Sequence, residues 1–255
     1  RAMDTVGAVI GPTVALIYLY LFPGNYKALF LLAFIPGIVA ISFTFLLKEA
    51  KRESRKFELT PVSFFSFVQY WKESPSTYKK LVAGLLAFTL INSSDVFLLL
   101  KIKEAGLSDT TIIGVYVFYN LVYALAAFPL GKLSDKIGFK RTIIFGFTVF
   151  AFVYLGMSIS NELHEFVIMF LLYGIYAAAT ESVAKAWISN ISEKKDIATA
   201  IGTYTGFQSV FTMIASSFAG FLWLTLGSSS IFLFTSATTF LVILYLIIVV
   251  NRDGR

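Results

Sequence analysis

Residues 197–251 read IATAIGTYTGFQSVFTMIASSFAGFLWLTLGSSSIFLFTSATTFLVILYLIIVVN, and this stretch contains no aspartate, glutamate, lysine or arginine. As a single helix with a rise of roughly 1.5 Å per residue, it would be about 80 Å long. The hydrocarbon core of a bilayer is only about 30 Å thick. The stretch therefore predicts two membrane-spanning helices joined by a turn at residues 227–230, where glycine and serine cluster.

The rest of the chain has the same apolar character. Hydrophobic residues make up 57% of the 255 residues and charged residues 14%, whereas soluble domains average about 45–50% and about 25%. Apolar runs between charges predict spans near 3–22, 27–47, 80–100, 110–130, 141–160, 165–188, 198–224 and 229–250. We therefore expect an all-α membrane protein, a bundle of about eight transmembrane helices in the lipid bilayer.

One predicted connection, from Lys48 to Lys80, is much longer than the others. It opens with the charge run KEAKRESRK and continues with a group of aromatic and apolar side chains. These are Phe64, Phe65, Phe67, Val68, Tyr70 and Trp71. The pattern predicts a solvated linker followed by an amphipathic helix that lies in the headgroup layer.

Lysine and arginine are sorted to one side of the predicted bundle. They concentrate in the long connection, in the loops near 132–141 and 185–195 and at both chain ends, and only Lys27, Lys101 and Lys103 fall opposite. The positive-inside rule predicts that the long connection and both termini face the cytoplasm of a cell-membrane protein. The net charge of +6 then reflects membrane topology, and we expect no binding to nucleic acid.

The predicted loop after the fourth span reads GKLSDKIGFKR, residues 131–141. It resembles the signature G-x-L-[SA]-D-[RK]-x-G-[RK]-[RK] of the major facilitator superfamily; an ordinary basic turn is the alternative. Gly131 and Gly138 are expected to adopt positive φ, and Asp135 is expected to contact a helix N-terminus or a basic partner. Lys136 and Arg141 are expected to bind anionic headgroups.

A second resemblance to this family lies in the first span. Gly7, Gly11 and Pro12 of the segment GAVIGPTVA are similar to the G-x-x-x-G-P core of a motif that antiporters of the family carry in their fifth helix. The resemblance implies antiport and a bend at a moving interface. Simple helix packing at a face of small residues is the alternative.

If the first span is the family's fifth helix, the chain resembles helices five to twelve of a twelve-helix fold that is truncated at its N-terminus. Residues 1–47 would then be the last two helices of the N-terminal half, and residues 48–79 the cytoplasmic linker. Residues 80–250 would form the six-helix C-terminal half, followed by a cytoplasmic tail, 251–255. We expect a monomer.

Ionisable groups inside the hydrocarbon are costly, by roughly 2.5–3.5 kcal/mol on insertion scales, and are therefore functional candidates. Asn92 and Asp95 share a face of the third span, and Asp95 is the best candidate for a proton or cation site. The alternative for Asp95 is a helix cap or a solvated vestibule. Glu181 and Lys185 are four residues apart in the sixth span and are expected to pair, either within a transport cavity or as a packing ion pair.

Two further spans carry isolated polar side chains. Asn120 lies among tyrosines that include Tyr123, and Gln208 stands alone in the seventh span. Each is expected either to contact a substrate or to bond a neighbouring helix.

The motifs of several other protein classes do not occur. The chain has no G-x-x-x-x-G-K-[ST] loop, no cysteine and only one histidine, His164, so we expect no ATP use, metal, cofactor or enzymatic activity. The residues and the resemblance together favour a secondary active transporter, a proton-coupled exporter of a small molecule that works by alternating access. A sugar or metabolite uptake symporter and a non-transporting receptor or assembly protein are the alternatives.

Overall fold

The computed structural model describes residues 2–46 and 66–250, and this part of the chain is helical throughout except for its turns. The helices are α1 (Ala2–Leu21), α2 (Tyr26–Leu46), α3 (Ser66–Glu73), α4 (Ser76–Ile91), α5 (Val96–Glu104), α6 (Asp109–Ile137), α7 (Phe139–Met157), α8 (Leu163–Ile191), α9 (Ile197–Leu226) and α10 (Ser228–Val249).

Seven segments of the described chain are long and apolar enough to cross a membrane, judged by length and composition. Six of them are α2 and α6 to α10, and the seventh is α4 together with α5. The first predicted span is helix α1, whose apolar part Ile10–Leu21 is shorter than these seven. The prediction of an all-α membrane bundle is confirmed.

The third predicted span, 80–100, lies within the candidate membrane span Ser76–Glu104, and the helix is interrupted there between α4 and α5 at residues 92–95. One local prediction was wrong. The segment 131–141 is not a loop, since α6 continues to Ile137 and the turn consists of Gly138, with φ 92°. Positive φ is therefore confirmed for Gly138 and wrong for Gly131, which is helical.

Helix α8 lies at the centre of the bundle, where it packs against α6 and α7. Two glycines bring these helices together. A Cβ on Gly146 of α7 would lie 2.4 Å from Thr180 Cγ2, and a Cβ on Gly174 of α8 would lie 2.8 Å from Val122 Cγ1. Such approaches leave no room for a side chain, so both positions require glycine.

Helix α1 packs against α6, and the α1–α2 turn is joined to the start of α6. The Tyr26 hydroxyl donates to the Asp109 carboxylate, which also accepts from Lys103. No described side chain of α2 is buried. Its apolar surface is suited to lipid, which requires no polar partner from the protein.

Helix α3 coincides with the predicted amphipathic helix of the long connection. Its Trp71 ring packs against Phe207 of α9, with ring centroids 5.7 Å apart, and against Tyr78 of α4, at 6.3 Å. The charge run 48–56 and the side chains of Phe64, Phe65, Phe67 and Val68 lie outside the residues that the structure describes. The placement of α3 in the headgroup layer remains a prediction.

Lys140, at the start of α7, closes the end of α10. Its ammonium donates to the carbonyl oxygens of Ile247, at 3.0 Å, and Val250, at 2.5 Å. A cation at a helix C-terminus bonds orphan carbonyls and opposes the helix dipole.

We expect Lys140→Met to destabilise the bundle by about 0.5–1 kcal/mol. Thermal unfolding in detergent measures this; the matched control is Lys136→Met, at an exposed lysine near the same turn. Equal melting temperatures for both variants would contradict it.

Candidate functional site

Side chains from α9 and α10 stabilise the break between α4 and α5. Asn92 leaves the helical conformation, with φ −86° and ψ 96°. The Ser94 amide donates to Ser216 Oγ of α9, at 3.2 Å, and the Ile91 carbonyl accepts from Thr235 Oγ1 of α10, at 3.4 Å. Backbone groups freed inside a membrane need such partners. The break is therefore stabilised by the tertiary structure of the bundle.

Asp95 and Asn92 point from this break towards tyrosines of α8. The Tyr173 hydroxyl donates to the Asp95 carboxylate at 2.5 Å, and the Asn92 amide donates to the Tyr176 hydroxyl at 3.0 Å. Asp95 directly precedes α5, yet its side chain makes no capping hydrogen bond. Its carboxylate is thus held by a neutral phenol, and among the described residues no cation forms an ion pair with it.

Glu181 also accepts a hydrogen bond from a tyrosine. Its Oε2 lies 3.0 Å from the hydroxyl of Tyr123 on α6. The predicted ion pair with Lys185 is wrong, because no nitrogen–oxygen contact within 4.0 Å joins these two side chains. Both residues are exposed to the open cavity. Water can therefore solvate the ammonium there while the phenol bonds the carboxylate.

These side chains surround one cavity of about 490 Å³ between α4, α5, α6, α7, α8 and α9. Five of the predicted site residues line it: Asn92, Asp95, Glu181, Lys185 and Gln208. Its lining thus carries two carboxylates and one ammonium, which gives a formal excess of one negative charge. A concave, part-polar space of this volume is the size that small organic ligands occupy, since such sites span about 300–1,000 Å³.

The two remaining predicted residues do not line the cavity. Asn120 is only 7% exposed, and its amide donates to the Tyr116 carbonyl of its own helix at 2.8 Å. Asn120 therefore bonds its own helix and lies outside the cavity lining. Tyr123 reaches the site through its hydrogen bond to Glu181.

Sequence reasoning missed most of the aromatic wall of the cavity. Phe88 and Phe147 stack with ring centroids 3.8 Å apart, and Tyr176 and Tyr204 also line it. Tyr116, one of the tyrosines around Asn120, is the part of this wall that the sequence indicated. A signal existed for part of it. Tyr173, Tyr176 and Thr180 recur at helical spacing and so share one face of α8 with Glu181 nearby.

A family model described as the Major Facilitator Superfamily matches residues 81–255. The chain belongs to the major facilitator superfamily. The matched residues begin in α4 and include every helix that lines the cavity.

Curated relatives agree with this assignment. The chain is 29% identical over 229 residues to the uncharacterized MFS-type transporter MJ1317 of Methanocaldococcus jannaschii, covering 88% of this chain and 56% of that protein. It is 27% identical over 164 residues to the uncharacterized MFS-type transporter YwoD of Bacillus subtilis, covering 64% of this chain and 36% of that protein. The chain thus spans about half the length of MJ1317 and a smaller share of YwoD.

A shorter match joins the chain to a resistance protein. Over 105 residues it is 30% identical to the methyl viologen resistance protein SmvA of Salmonella typhimurium, which covers 41% of this chain and 21% of that protein.

The segments that resemble superfamily motifs lie away from the cavity, since none of their residues lines it. Asp135 is exposed and forms no hydrogen bond or ion pair with the described residues. The expected partner is therefore not observed. Lys136 and Arg141 are exposed, as headgroup contacts require. Their predicted role stays a prediction.

Helix α1 continues through Pro12 without interruption. A Cβ on Gly7 or Gly11 would meet no atom within 4 Å. In the described chain these glycines therefore do not bring two helices together, and the close-packing alternative finds no support there.

Proposed function

We propose that this superfamily member is a secondary active transporter that exports a small organic molecule in exchange for protons by alternating access. The single observation that carries the proposal is the 490 Å³ cavity that Asp95 and Glu181 share with an aromatic wall. Membership of the major facilitator superfamily supports it. The cavity lies beside a discontinuous helix, and discontinuous helices commonly form the binding sites of secondary transporters.

The two carboxylates are suited to proton coupling. Each accepts a hydrogen bond from a tyrosine, and neither forms an ion pair with a described lysine or arginine. A proton can therefore neutralise either group without breaking an ion pair. Protonation removes a charge from the cavity and changes the relative free energies of its inward-open and outward-open states.

The cavity favours an aromatic cation as substrate. Its formal charge excess is negative, and the rings of Phe88, Phe147 and Tyr204 line it. Carboxylates attract a cation, while ring faces add cation–π attraction and apolar contact. Similarity to a methyl viologen resistance protein supports this class of substrate, because methyl viologen is an aromatic cation.

The proposal includes the predicted organisation of the chain. Residues 1–47 act as the last two helices of one half, 48–79 as the linker and 80–250 as the other half. The contact of α1 with α6 then lies between the halves, where rocking motions occur. The positive-inside rule places the linker and both chain ends in the cytoplasm of a cell-membrane protein.

Proteoliposomes that contain the full-length protein test the proposal. We expect methyl viologen to accumulate when the lumen is more acidic than the bath, because outward proton flow drives inward substrate flow. A protonophore should abolish accumulation, and protein-free liposomes provide the control. Accumulation only from an acidic bath would indicate symport. Absence of flux in both gradients would contradict transport of this substrate and favour a non-transporting role.

A further inference from the structure

Buried polar atoms without hydrogen-bond partners are concentrated at the break between α4 and α5. Of the four such side-chain atoms in the described chain, two belong to the break, Asn92 Oδ1 and Ser93 Oγ, and a third is the Tyr154 hydroxyl of α7. Ser93 is 4% exposed and Tyr154 is 0% exposed. Native proteins rarely leave such atoms unpaired, so their grouping at one place indicates an occupant.

The unpaired atoms of the break belong to the same short segment as Asp95. Asn92, Ser93 and Asp95 fall within four consecutive residues, and all three line the cavity. The Tyr154 hydroxyl lies next to the Ser93 hydroxyl and interacts with it, but the two do not reach the distance and angle of a full hydrogen bond. The Tyr154 hydroxyl also lies within the electrostatic reach of Asp95.

The chemistry of this group favours a cation. Asn92 Oδ1 is an acceptor only, Ser93 Oγ carries free lone pairs, and Asp95 supplies one negative charge. The break also ends α4, and a helix C-terminus presents carbonyl oxygens and the negative end of its dipole. Hard cations bind such oxygen groups, and unwound segments of transporter helices coordinate Na⁺ in this way.

We propose that the α4–α5 break binds one Na⁺ ion through Asn92 Oδ1, Ser93 Oγ and the Asp95 carboxylate. One carboxylate balances one monovalent charge, whereas a divalent ion would leave a buried charge excess. A water molecule would also satisfy the unpaired oxygens, but only a cation would at the same time balance the charge of an ionised Asp95.

Sodium and a proton are then alternative ways of neutralising Asp95. The inference rests on the proposed function only for this coupling step, because the binding site itself requires no transport.

Thermal unfolding of the detergent-purified full-length protein tests the binding site. We expect the melting temperature to rise and saturate as NaCl replaces choline chloride at constant ionic strength. KCl at the same concentrations measures whether the site distinguishes the two ions. Asp95→Asn should remove the effect of Na⁺. Asn92→Ala and Ser93→Ala should each weaken the apparent Na⁺ affinity by roughly tenfold, since each removes one ligand.

The variants are chosen so that folding does not obscure the result. Ser93→Ala deletes an unpaired group and is therefore expected to remain folded. The matched control is Ser217→Ala, at an exposed serine of α9 that bonds its own helix, and its response to Na⁺ should equal that of the wild type.

A melting temperature that is the same in NaCl and choline chloride would overturn the proposal and leave water as the occupant. A Na⁺ effect that survives in all three site variants would also overturn it. Because the readout is binding, it is independent of the flux measured in proteoliposomes.

Discussion

Gly146→Ala is expected to destabilise the bundle by about 1–3 kcal/mol, the usual cost of forcing an extra carbon into a packed core. The new Cβ would lie 2.4 Å from Thr180 Cγ2 and 3.2 Å from Ala179 Cβ. Thr180 cannot easily move, because it is buried, β-branched and hydrogen-bonded through Oγ1 to the Tyr176 carbonyl at 2.9 Å. Helix α7 must therefore shift away from α8. The melting temperature in detergent measures the loss.

A second substitution separates this clash from a general effect of alanine. Thr180→Ser keeps the hydroxyl and removes Cγ2, so Gly146→Ala/Thr180→Ser should recover most of the lost stability. The matched control is Gly202→Ala in α9, where a Cβ would meet no atom within 4 Å. There alanine should be neutral or stabilise by up to ~1 kcal/mol through helix propensity. Equal losses for Gly146→Ala and Gly202→Ala would contradict the close contact of α7 with α8.

The helices were predictable wherever charge is absent over a long run. The ranges 198–224 and 229–250 match α9, Ile197–Leu226, and α10, Ser228–Val249, because a bilayer excludes charge and fixes helix length. The end of α6 was placed too early, since Gly131 was taken as a turn residue. The helix continues because Gly131 is accommodated within it, and Gly138 alone adopts positive φ.

Part of the candidate site was predictable for the same reason. Asp95 and Glu181 are conspicuous because an ionisable residue in an apolar run is costly. Their partners were not predictable from local spacing. The i, i+4 rule favoured Lys185 for Glu181, but Tyr123 on another helix takes that place. Likewise, the break at Asn92 depends on Ser216 and on Thr235, which lie 122 and 144 residues from their partners along the chain.

Asp95→Asn is expected to abolish proton-driven accumulation of methyl viologen while leaving the bundle folded. The asparagine oxygen can still accept from the Tyr173 hydroxyl, so the hydrogen bond of 2.5 Å has a substitute. An amide cannot bind a proton in this pH range, so the substitution removes the proposed proton site without creating a cavity. Accumulation in vesicles with an acidic lumen should fall to the level of protein-free liposomes.

Glu181→Gln tests the second carboxylate in the same vesicles. Its side chain can still accept from Tyr123, so we expect a folded protein whose dependence on the pH gradient is reduced. Glu193→Gln is the matched control, because Glu193 lies in the α8–α9 turn, where it pairs with Lys195 at 3.1 Å. This control should transport as the wild type does.

Exchange of labelled for unlabelled methyl viologen without a pH gradient separates binding from coupling in these variants. If Asp95 carries only the proton, Asp95→Asn should still exchange substrate at a rate that no longer responds to pH. If Asp95 also binds the cationic substrate, exchange should be lost as well, because the amide removes the attracting charge. One outcome would contradict proton coupling through this cavity: accumulation driven by the pH gradient that is unchanged in both Asp95→Asn and Glu181→Gln. No other described acidic side chain lines the cavity.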